Sequence, residues 1–109
     1  MRMNIITARG KNEEGLKALL RAAATHEGAY GGHTLREEPD EDGALTFVRI
    51  GGIPTTSFTL RVRGNTVWAS DYGFMFTCNV LLAERVHFDW EERDFADRDA
   101  ICAAFRATS

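Results

Sequence analysis

Apolar and polar residues alternate along this chain with two different periods, and each change of period marks an element. Met3 to Thr7 is a short apolar stretch, the pattern of a first strand. Asn12-Glu13-Glu14 follows as a helix start, because the Asn side chain can cap free N–H groups and the carboxylates face the positive end of the helix dipole. Leu16, Leu19, Leu20 and Ala23 then recur at helical spacing and Gly28 supplies a stop, which predicts a helix from about Glu13 to about Glu27.

Beyond it the period becomes two. Residues 34–38 and 44–50 flank the turn-forming Pro39-Asp40-Glu41-Asp42-Gly43, a hairpin signature. Gly51-Gly52-Ile53-Pro54 interrupts the pattern before Ser57-Phe58-Thr59-Leu60-Arg61-Val62-Arg63, where Phe58, Leu60 and Val62 share one face. Ser57, Thr59, Arg61 and Arg63 share the other, so a strand with one buried and one solvated face is expected. Gly64-Asn65 is a two-residue turn into a returning strand, Thr66-Val67-Trp68-Ala69-Ser70.

From Phe74 to Ala83 both periods fit. Phe74, Phe76 and Cys78 alternate as in a strand, whereas Phe74, Cys78, Leu81 and Leu82 share a helical face; the alternation favours a strand. Val86, Phe88 and Trp90 then oppose Arg85, His87 and Asp89 in what reads as the last strand. Asp97 caps a final helix with an apolar stripe of Ile101, Ala104 and Phe105. This order predicts one α+β domain over residues 1–109. Its largely antiparallel sheet has about five to six strands, with an N-terminal and a C-terminal helix packed on one face.

Composition agrees with a single core: 44% of 109 residues are hydrophobic, enough to fold without disulfide or metal staples. Cys78 and Cys102 lie in apolar neighbourhoods and read as buried thiols, with no zinc or redox spacing. Apolar runs such as Val80-Leu81-Leu82-Ala83 fall far short of the roughly 20 residues that cross a bilayer. The start of the chain lacks a secretory pattern, and a cytoplasmic protein without membrane association is expected.

Charge narrows the function classes. A net charge of −3 disfavours a general phosphate binder. Arg36, Arg49, Arg61 and Arg63 could form a basic stripe, but Trp68 is the one aromatic available to interleave with it, so direct nucleic-acid binding is disfavoured. No Gly-x-Ser-x-Gly elbow occurs, and Gly51-Gly52 leads into a strand rather than a phosphate-binding helix, so neither a catalytic motif nor a cofactor is expected.

Twelve of the 16 carboxylates fall into two segments, which gives the chain a concentrated negative charge. One is the hairpin tip with Glu37, Glu38, Asp40, Glu41 and Asp42; the other runs from Glu84 to Asp99 and interleaves Trp90 with Glu91, Glu92 and Asp94. Acids beside an aromatic anchor suit docking onto a basic protein. The expected function is therefore a non-catalytic protein-binding domain that neutralises a basic partner, such as a nuclease or a nucleic-acid-binding complex. An immunity protein, an antitoxin or a phage counter-defence inhibitor of the anti-CRISPR type fits that description. The alternative is a small-ligand-binding or enzymatic domain whose pocket is lined by His87, Asp89 and Arg85. Either reading allows a monomer or a homodimer, the latter through an unpaired edge strand.

Overall fold

The computed structural model describes residues 1–25, 33–35, 45–49 and 57–108, with the main chain alone at 24–25, 33–35, 45–49 and 57. In chain order the elements are β1 (Arg2–Ala8), α1 (Glu13–Thr25), β2 (His33–Leu35), β3 (Leu45–Arg49), β4 (Ser57–Arg63), β5 (Thr66–Ala69), α2 (Asp71–Ala83), β6 (Phe88–Asp94) and α3 (Arg98–Ala107). The strands form one sheet in the order β2-β3-β4-β5-β1-β6, and every neighbouring pair is antiparallel.

Local chemistry sets most of these boundaries. The Asn12 carboxamide oxygen accepts from the Gly15 N–H at 2.7 Å and starts α1. Between β4 and β5, Gly64 takes φ 58°, a left-handed value that a side chain would resist, and Asn65 does not, as in a type II′ turn. Its N–H donates to the Glu13 carboxylate at 3.0 Å, tying the turn to the start of α1. Asp97 accepts from the Ala100 N–H at 2.8 Å and starts α3. The first hairpin's strands pair with Leu35 opposite Phe47, while its turn, Pro39 to Gly43, lies outside the described residues, as does Gly28.

Two expectations need correction. Residues 71–83 form a helix, not a strand. One side of α2 buries Gly73, Phe76, Thr77, Val80 and Leu81, the spacing of a helix, and the Thr77 hydroxyl donates to the Gly73 carbonyl one turn back. It closes with a Schellman arrangement: the Val86 N–H reaches the Leu81 carbonyl at 2.9 Å and the Arg85 N–H the Leu82 carbonyl at 3.1 Å. Arg85 occupies the left-handed position, φ 56°, where glycine is usual. The last strand accordingly begins at Phe88 rather than Arg85.

The terminal helices do not share a face. Leu16 and Leu20 of α1 pack with Ile6, Ala8, Leu60, Val62, Val67 and Ala69, and α2 joins the same cluster through Phe76, Val80 and Leu81. Ile101 and Phe105 of α3 pack instead with Met3, Ile5 and Trp68. Along β1 these two sets alternate, so the sheet is covered on both sides.

That second cover changes the meaning of the polar face of β4. Arg61 is 6% exposed and its guanidinium lies 3.9 Å from the Cys102 sulfur. Arg63 reaches the C-terminal end of α3, where Nη1 donates to the carbonyls of Phe105, Arg106 and Thr108 at 3.0, 2.7 and 3.0 Å while the guanidinium sits over the Phe105 ring. Trp68, 2% exposed, lies between the rings of Phe95 and Phe105. The expected solvated face is thus a second, smaller core, and neither Trp68 nor these two arginines form an open basic stripe.

Candidate partner-binding surface

β6 ends the sheet order, so it has a hydrogen-bonded neighbour on one side only, β1, with which it pairs over all seven residues from Phe88 opposite Ala8 to Asp94 opposite Arg2. Its outward main-chain groups form an open ladder among the described residues. Apart from Phe88 every residue of the strand is exposed. The register decides where each side chain stands. Trp90, Glu92 and Asp94 oppose Ile6, Asn4 and Arg2 and share the side of α1 and α2; Asp89, Glu91 and Arg93 share the side of α3.

Trp90, Glu91, Glu92 and Asp94 therefore lie on one edge, divided between the two sides of the strand. Trp90 is 53% exposed and rests edge-on against Phe74 of α2, ring centroids 5.0 Å apart, which fixes it as a half-open aromatic. The acids are not bare. Arg2 lies 3.3 Å from Glu92 and 3.5 Å from Asp94, Arg93 lies 2.8 Å from Glu91, and Arg9 holds Asp89 through two donors at 2.7 and 3.1 Å. Each pair is open to water, where such contacts contribute about 0–1 kcal/mol and are easily exchanged for others. Four carboxylates against three guanidiniums leave the edge with a modest negative excess.

The other sequence candidates do not gather here. Glu37, Glu38, Asp40, Glu41 and Asp42 lie outside the described residues. His87 is exposed, its carbonyl accepts the Arg9 N–H at 2.8 Å, and Asp89 is taken up by Arg9. Arg85 is exposed at the end of α2. Among the described residues no group of three His, Cys, Asp or Glu side chains could hold a metal ion.

A cleft of about 370 Å³ opens elsewhere, where the start of β1 meets β4 and the starts of α2 and α3; Met3, Thr59, Arg61, Asp71, Tyr72 and Arg98 line it, and His87 and Asp89 do not. Cys78 and Cys102 are free thiols, each half-buried, and burial pushes the Cys78 thiol above its ordinary value. Sequence reasoning passed over α2 as a surface, although the shared helical face of Phe74, Cys78 and Leu82 carried the signal.

Among the described residues no helix is long and apolar enough to cross a membrane. Comparison with protein-family models, with curated proteins and with solved structures finds no match to this chain.

Proposed function

We propose that this chain is a non-catalytic protein-binding domain that neutralises a basic partner, a nuclease or a nucleic-acid-binding complex, in the manner of an immunity protein, an antitoxin or a phage counter-defence inhibitor. The observation that carries it is the open edge of β6, where Trp90 stands half-exposed between carboxylates along a ladder with no outer neighbour among the described residues. A basic partner would exchange its own cations for Arg2, Arg9 and Arg93, a swap that costs little because those ion pairs are solvated. The aromatic supplies the desolvated anchor on which interface affinity depends.

The test is affinity capture from the native host with the wild-type chain and with a variant carrying Trp90→Ala, Glu91→Lys, Glu92→Lys and Asp94→Lys. All four positions are exposed, so the far-UV spectrum should not change. A basic protein retained by the wild type and lost by the variant supports the proposal; a variant that keeps every partner of the wild type overturns it.

A second reading rests on the cleft. Arg61 and Arg98 outnumber Asp71 in one concavity and favour a small anionic ligand there, away from His87. Thermal shift against a panel of carboxylates and phosphates, with Arg98→Ala as control, decides between the two readings.

A further inference from the structure

Among the described residues five large hydrophobic side chains are exposed, and four of them, Tyr72, Met75, Leu82 and Trp90, lie on α2 or against it. The helix Asp71–Ala83 carries one charge, at its first residue, and has large apolar side chains on its outer as well as its inner side. A helix of that composition is ordinarily covered on all sides, yet the outer side of α2 faces water. Tyr72, Met75, Asn79 and Leu82 follow one another at intervals of three, four and three, which aligns them as a single outward stripe. Half-buried Phe74 and Cys78 continue the patch toward Trp90.

We propose that this face is the interface of a two-fold symmetric homodimer in which two α2 helices pack antiparallel. The stripe is self-complementary. Tyr72 and Leu82 are equally far from Thr77, as are Met75 and Asn79, so a two-fold axis near Thr77 sets Tyr72 of each copy on Leu82 of the other and Met75 beside Asn79.

The charges agree with the same direction. Asp71 and Arg85 are exposed at opposite ends of the helix, and neither has an ion pair among the described residues. Antiparallel packing brings Asp71 of each copy to Arg85 of the other, twice; parallel packing would set like on like. Glu84, by helical spacing, projects away from the stripe.

Other occupants fit less well. An uncharged stripe offers a basic partner nothing, and helices that lie in a membrane surface carry Lys and Arg along their flanks, where α2 has Asp71 and Glu84. The interface leaves the outer edge of β6 open, so the inference stands apart from the proposed function.

The experiment is sedimentation equilibrium on the whole chain with far-UV spectra of each variant. The wild type should show a concentration-dependent dimer, and Leu82→Glu, at a position 65% exposed, should give a folded monomer. Asp71→Lys and Arg85→Glu should each weaken association roughly tenfold, while the double variant should recover it, because the swap restores both pairs. A wild type still monomeric at about 0.5 mM overturns the proposal, since a Kd of about 1 mM would already show dimer there. So does a dimer indifferent to Leu82→Glu, or a double variant no better than its parents.

Discussion

The guanidinium of Arg63 meets three carbonyls at the end of α3, the end where a helix is short of donors and carries its negative pole. A residue on β4 thus anchors the last helix, and its guanidinium lies over the Phe105 ring. Replacement by Met keeps the stem and removes the donors. Urea denaturation of Arg63→Met should show a loss of about 2 kcal/mol, the scale of a charged hydrogen-bond donor at partly buried acceptors. Arg63→Lys should recover only part, lacking the planar fork. No loss in either variant would mean that the carbonyls are equally well served by water. From the sequence alone Arg61 and Arg63 were indistinguishable from solvated strand residues, since alternation records which face a residue takes and not what covers that face. Asn12 and Asp97 were legible because capping is local: the residue that reads as a cap has its acceptor within three positions of the N–H that it serves.

At the scale of elements, α2 lies close against the sheet because Gly73 has no side chain. A Cβ there would come 3.1 Å from a Leu60 methyl and 3.4 Å from the Ala69 Cβ, and Leu60 is fully buried with no room to retreat. Gly73→Ala should gain about 1 kcal/mol of helix propensity and lose about 1–3 kcal/mol to overpacking, for a net destabilisation on the order of 1 kcal/mol seen as a lower urea midpoint. A rise in stability would show that the helix can lift away from β4 without cost. The same element is where alternation misled. A helix betrays itself by a polar side, and α2 has almost none: Phe74, Phe76 and Cys78 keep the two-residue rhythm of a strand while Tyr72, Met75 and Leu82 fill the side where polar residues would have corrected it. The two-residue turn at Gly64-Asn65 was readable for the opposite reason, since few other structures need that dipeptide between alternating runs.

For the whole molecule, the α+β class and the antiparallel sheet followed from periodicity, but the placement of helices about the sheet did not. Loop handedness and the presence of α2 decide which side a terminal helix covers, and neither is written in the stripe of Ile101, Ala104 and Phe105. The candidate edge was half legible: Trp90, Glu91, Glu92 and Asp94 were recognised as a cluster, whereas the Arg2 guanidinium that meets Glu92 and Asp94 comes from a strand about ninety positions away. The strand order also sets a hierarchy of protection. β1 is paired on both sides and packed between two cores, while β6 is paired on one. Native-state hydrogen exchange should find the slowest amides in β1 and β5; equal or slower exchange in β6 would contradict that order.

The position of β1 in the sheet has a consequence in time as well as in space. The ribosome delivers this strand before the other five of the sheet, yet the two strands that hold it, β5 and β6, are the last two of the six in chain order. At roughly 5–20 residues per second, the delay before β5 emerges is several seconds, whereas a hairpin such as β4-β5 closes in about 1–10 μs. Met3, Ile5 and Ile6 therefore wait for partners that have not yet been synthesised, and the sheet closes around β1 only after β6 has emerged.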